Sequence, residues 1–149
     1  MAQNKKLINY LNDMLAHNVD TVRGYQDAAR NVVNETLKNF FISQAKKRLS
    51  LSEELKAEIT AQGGKPVEEA SFFNVFQRSW TNFRTSLNHD NEKEVCKFCL
   101  SAEEKSIREY DVILRNQNLV SERFYKAVEN QKQITLEAKE ALQAMKEQF

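Results

Sequence analysis

Leu55-Lys56-Ala57-Glu58-Ile59-Thr60-Ala61-Gln62-Gly63-Gly64-Lys65-Pro66 is the stretch that decides the fold. Leu55 and Ile59 close an amphipathic stripe that runs back through Ala45, Phe41 and Leu37, the period of one helix face. Gly-Gly-Lys-Pro then ends it, because Gly is costly in a helix and Pro cannot continue one. No other cluster of this kind occurs: the 149 residues hold three Gly and a single Pro, far below ordinary usage. The chain on either side of this turn is therefore expected to form long helices with few breaks.

Toward the N-terminus, Leu7, Leu11, Met14, Val22, Tyr25, Ala29 and Val33 form a first stripe, and Asn34-Glu35 offers the start of the second helix. Beyond Pro66 lies a connector with Phe72, Phe76, Trp80, Phe83 and Leu87 at spacings of four, four, three and four, which predicts a short helix there. Asn88 to Asn91 ends it. Asp90 or Asn91 can cap a third helix, with Glu92 and Glu94 set favourably against its dipole. Its stripe is Val95, Cys99, Glu103, Ile107, Tyr110 and Leu114. After a turn at Asn116-Gln117-Asn118, a fourth helix presents Val120, Phe124, Ala127, Ile134, Ala138, Ala141 and Met145 and runs almost to Phe149. Short turns make helices 1 and 2, and helices 3 and 4, antiparallel neighbours, while the long connector can cross the length of the bundle. That is ferritin-like connectivity. The predicted fold is all-α: a ferritin-like antiparallel four-helix bundle with an extra short helix in the crossover between helices 2 and 3, forming one domain over residues 1–149.

Composition removes several function classes. Lys and Arg number 22 against 21 Asp and Glu, so no overall field favours nucleic acid or an anionic membrane, and neither is an expected partner. No apolar run approaches the roughly 20 residues of a membrane-spanning helix. Lys5-Lys6 leads into a stretch broken by Asn9, Asn12 and Asp13, unlike a secretion signal. A cytoplasmic location is expected.

Oxidases and iron stores with this architecture carry two Glu-x-x-His pairs and two further Glu residues on inward stripes. Here the two histidines, His17 and His89, follow Met14 and Ser86 at that spacing. The inward positions instead read as a polar layer: Tyr25 with Asn18, Gln44 and Arg48 with Ser52, Glu103 with Tyr110, and Gln131. Buried polar groups need partners, and Glu103 is the stripe carboxylate best placed to meet Arg48. A guanidinium there opposes a cation. No catalytic residue, metal or cofactor is therefore expected. The rival reading is a degenerate metal-binding or redox protein using Glu103, Glu54 and Glu129, with Glu53 as a further donor. Cys96-x-x-Cys99 starts inside a helix rather than at its first turn, and reads as two core thiols, with redox sensing as the alternative. Phe72, Phe76, Trp80 and Phe83 either cap one flank of the bundle or form a subunit interface joining a homodimer through the connector helix.

The pieces also resemble a known family. Gly24-Tyr25-Gln26-Asp27-Ala28-Ala29, Leu37 through Phe41 to Ala45 and Arg48, Glu54-Leu55, Gly63-Gly64-Lys65-Pro66, Arg78-Ser79-Trp80, and Cys99 through Glu103 to Tyr110 together look like a bacterial family of uncharacterised ferritin-like four-helix-bundle proteins. The resemblance implies the bundle with a connector helix, a cytoplasmic bacterial protein and no established activity. The wider superfamily suggests a link to stress responses. Members commonly carry Glu at the position of Gln26 and His at that of Ala138; both are absent here, whereas Arg48 agrees. The expected function is a non-catalytic structural or protein-interaction module.

Overall fold

The computed structural model describes residues 2–68 and 92–149. Four long helices make up these residues: α1 (Ala2–Asn31), α2 (Glu35–Ala61), α3 (Glu92–Leu114) and α4 (Glu122–Lys146), with a single 3₁₀ turn at Gln117–Leu119. No strand occurs among them. The expected connector helix with Phe72, Phe76, Trp80, Phe83 and Leu87, and the caps at Asp90 and Asn91, lie outside the described residues.

Each helix end has a visible cause. Asn34 is extended at φ −65°, ψ 121°, and its side chain accepts from the Leu37 amide at 3.0 Å, satisfying one orphan donor of α2. Glu92, in the first turn of α3, reaches across and accepts from the Val33 and Asn34 amides, each at 2.9 Å. Gly63 takes φ +85°, a conformation natural to glycine, and the Gly64 amide bonds back to the Ile59 carbonyl at 2.9 Å. Gly64 lies against α1: a Cβ there would stand 2.6 Å from Cγ2 of Ile8. The chain leaving α2 is pinned to α1, since Asn12 donates to the Lys65 carbonyl at 3.2 Å and accepts from the Val67 amide at 2.8 Å. Ser121 caps α4, its hydroxyl accepting from the Phe124 amide at 3.2 Å.

The pairs α1–α2 and α3–α4 pack most closely, with α2 against α4 and α1 against α3 closing the ring. Going round the bundle the order is α1, α2, α4, α3, so α2 and α3 face each other across a diagonal. Among the described residues two apolar clusters fill the interior. One contains Tyr25, Leu37, Phe41, Val95, Cys96, Cys99 and Leu142; the other contains Leu11, Leu15, Leu55, Ile59, Ile113, Phe124 and Val128. Between them lie buried polar side chains from all four helices: Asn18, Arg48, Ser52, Glu103, Ser106, Gln131 and Thr135.

Two expected stripes are corrected by the packing. Val33 is 82% exposed, because α1 has ended and Val32 turns inward instead. On α4 the core positions are Phe124, Val128, Gln131, Thr135, Ala138 and Leu142, while Ala127, Ile134 and Ala141 sit on the flanks, half-buried. An alanine-rich helix with Thr and Gln turned inward hides its core face from a reading by hydrophobicity. No described helix is long and apolar enough to cross a membrane.

Candidate functional site: a buried polar layer

Arg48 rises from the inner face of α2 and is 1% exposed. Its Nη2 donates to Glu103 Oε1 at 2.8 Å and to Ser106 Oγ at 3.0 Å, both across the diagonal on α3. Its Nη1 donates to Asn18 Oδ1 on α1 at 3.2 Å. Asn18 returns its own amide to the Arg48 carbonyl at 2.9 Å and to Ser52 Oγ at 2.8 Å. Glu103, 0% exposed, also accepts the Tyr25 hydroxyl at 2.5 Å, and Tyr25 is held by Phe41 and Phe40 at ring separations of 5.6 and 6.5 Å. Oε1 of Glu103 thus receives a charged and a phenolic donor together, short and charge-assisted.

The electrostatics follow from burial. Desolvation works against the charge on Arg48, but Tyr110, Glu103 and Tyr25 outweigh it, so its pKa stands above the ordinary guanidinium value and the charge is permanent. Burial and the adjoining Glu103 push the Tyr25 hydroxyl well above its usual range, keeping it a donor. His17 Nε2 lies 3.0 Å from Ser106 Oγ and 3.2 Å from the Ala102 carbonyl. Burial first, then the charge of Arg48, pull its pKa down to about 3. It is neutral at physiological pH, so its 3.9 Å approach to Glu109 is not an ion pair. Glu109 itself is pushed up to about 7, chiefly by burial.

Several polar atoms in this region have no partner: Glu103 Oε2, Arg48 Nε and the Tyr110 hydroxyl. Tyr110 lies beside Thr135 and Ser106 without a well-directed bond to either. Gln131 donates to Thr135 Oγ1 at 3.5 Å, and Gln44 is buried one turn before Arg48. Tyr25, Arg48 and Glu103 are therefore brought together directly, with Tyr110 beside them, while Gln131 and Gln44 are buried on the inner faces of α4 and α2. His17, Ser106 and Thr135 complete the layer and were not singled out in sequence. Ser106 had a signal, standing three residues after Glu103 on the same face; His17 had none beyond its type.

A metal centre of the kind this architecture often holds needs several carboxylates and imidazoles converging on one point. Here Glu103 is engaged by a cation, and His17 Nε2 by Ser106 and Ala102. Glu54 lies at the surface, gripped by Arg123 at 3.0 and 3.2 Å, and Glu129 is exposed on α4. Glu53 points outward beside Lys56 at 3.5 Å. The described residues do not fit such a centre. Among the described residues no group of three or more His, Cys, Asp or Glu side chains could hold an ion. Gln26 is exposed, so a carboxylate at that position would not face the core.

Cys96 and Cys99 are free and buried. Burial raises Cys96 to about 11 and lifts Cys99 well above the normal thiol range, so neither supplies thiolate at neutral pH. One further buried acid has a structural use: Glu58 accepts the Ser121 amide at 3.0 Å, the Ser121 hydroxyl at 2.6 Å and the Gln62 amide at 2.8 Å, tying the end of α2 to the start of α4.

No curated protein matches the chain. A solved structure similar in fold is a dodecameric thioferritin, the bacterioferritin-related protein from Bacteroides fragilis, with a TM-score of 0.74, 18% identity, and coverage of 98% of this chain and 91% of that one. At that identity the likeness establishes a ferritin-like bundle. The model of a family described as a domain of unknown function (DUF2383) matches residues 6–116, from the first helix through the third and with it Arg48, Glu103 and Ser106, and the chain belongs to that family.

Proposed function

We propose that this protein is a non-catalytic ferritin-like bundle of the bacterial cytoplasm, one domain acting as a structural or protein-interaction module. The observation that carries the reading is the Arg48 guanidinium, fixed at the bundle interior by Glu103, Ser106 and Asn18. A fixed positive charge at that place repels a second cation, and the carboxylate that would bind one is already neutralised. The protonated tyrosines and thiols leave the layer without an activated nucleophile, and His17, pulled down to about 3, is a weak base. The likeness to a bacterial thioferritin supports the bacterial assignment.

The rival, a degenerate metal or redox protein, draws on the spare oxygen of Glu103. Elemental analysis of protein purified without chelator, and again after anaerobic loading with ferrous iron, separates the two. The proposal expects iron and manganese far below one equivalent and no ferrous oxidation above buffer. Stoichiometric metal retained by wild type and lost in Glu103→Gln overturns it.

A further inference from the structure

On the outer side of α1 and α2, away from the polar layer, lies a groove of about 580 Å³. Its floor contains Ala45, Ile42 and Leu49, of which Ile42 is 41% and Leu49 51% exposed, an unusual use of two large aliphatic side chains. Arg30, Lys38 and Lys46 rim it. Among the described residues, neither lysine makes an ion pair. Along α2 the order is cation, isoleucine, cation: Lys38, Ile42 and Lys46, one turn apart each.

The complement stands on the opposite hairpin. Glu129, Leu136 and Glu140 on α4, and Glu147 at its C-cap, follow one another at spacings of seven, four and seven, which at 100° per residue keeps them within about 40° of one line. All four are exposed, Leu136 at 39%. None of the three glutamates has an ion-pair partner among the described residues. Two acids bracket a leucine on α4 as two lysines bracket an isoleucine on α2. Glu129 and Glu140 stand eleven residues apart and Lys38 and Lys46 eight, about 17 and 12 Å of helix. The two strips are opposite in charge, and each carries exposed aliphatic surface beside its charges: Ile42 and Leu49 on one, Leu136 on the other.

We infer that the α4 strip of one copy docks in the α1–α2 groove of a second copy, so that the protein self-associates head to tail. The inference rests on the interaction-module reading above. Groove and strip are different surfaces of one chain, so the contact is heterologous: it closes into a ring or extends, and does not stop at a two-fold dimer. Opposed charges set orientation and salt sensitivity, and the aliphatic residues supply the buried area.

Sedimentation velocity and light scattering on wild type, Lys46→Glu, Glu140→Lys and an equimolar mixture of the two variants test this. Expected results are an oligomer larger than a dimer in low salt, a shift toward monomer in high salt, and monomer for each variant alone. All should share one circular dichroism melting curve. The mixture should recover the oligomer, because the swapped charges again meet their opposites. A monomeric wild type, a closed dimer indifferent to either substitution, or a mixture that stays monomeric overturns the interface. None of these outcomes bears on metal content, so failure here is distinguishable from failure of the non-catalytic reading.

Discussion

Removing Arg48 is the most informative perturbation, because its guanidinium serves three helices at once. Arg48→Ala deletes hydrogen bonds to Glu103, Ser106 and Asn18. Three bonds from a charged donor, at roughly 1.5–3 kcal/mol each, give a gross loss of about 5–9 kcal/mol, which relaxation and water entry reduce to the 3–5 kcal/mol typical of a broken buried pair. Glu103 is then an ion at 0% exposure with only Tyr25 to bond it. Glu103→Ala should cost a similar amount, leaving the guanidinium with Asn18 and Ser106 alone. Arg48→Met combined with Glu103→Leu removes both charges and fills the space, and should fall within about 2 kcal/mol of wild type, the residue of the loss coming from the Tyr25 hydroxyl left without its acceptor. Urea titrations followed by helical ellipticity measure all four proteins, with an unchanged m-value as the condition for comparing them. For about 150 residues the single losses correspond to roughly 6–20 °C in Tm. A double variant whose loss equals the sum of the two singles would refute the coupling and the account of the layer built on it.

Other expectations follow from sites already described. Glu58→Ala should cost about 2–3 kcal/mol, since three donors lose a buried acceptor, and hydrogen exchange should rise first at the Ser121 and Phe124 amides. Glu109, at about 7 in the folded chain, stays protonated after the unfolded chain has released its proton. Its presence therefore costs stability progressively from the ordinary carboxylate range up through neutrality, and Glu109→Gln should gain on the order of 1–3 kcal/mol in alkaline buffer and nothing in acid, as read from melts across pH. Gly63→Ala should lose about 1–2 kcal/mol, because φ +85° strains any residue with a Cβ, and the midpoint in urea reports it.

Much of the bundle could be read directly from residue order. The Gly63-Gly64-Lys65-Pro66 stop, the Asn34 cap and the stripe from Leu37 to Ile59 each rest on local rules, and local rules suffice where a helix has a strongly apolar face. Arg48 and Glu103 were legible because a charge at an otherwise apolar position demands a partner. On α4 the reading of Phe124, Gln131 and Ala138 as inward holds, but that of Ala127, Ile134 and Ala141 does not, since polar Gln131 and Thr135 occupy the core face and leave hydrophobicity pointing at Ile134 and Ala127. Val33 misled for a different reason: periodicity carries no record of where a helix stops. The roles of His17 and Glu58 depend on which helix faces which, a tertiary fact that spacing along one helix does not encode.

The diagonal bond between α2 and α3 bears on how the helices are aligned lengthwise. Aliphatic layers are forgiving: slid by one turn, about 5.4 Å, leucines still find leucines. A guanidinium held by one carboxylate, one hydroxyl and one amide has a single height at which all three are within reach, and any slipped arrangement strands a charge in hydrocarbon. The layer therefore works as a key to axial position. Freely mutating the greasy levels above and below it should leave the same bundle, whereas an all-apolar interior would gain cohesion and lose its means of telling one alignment from the next.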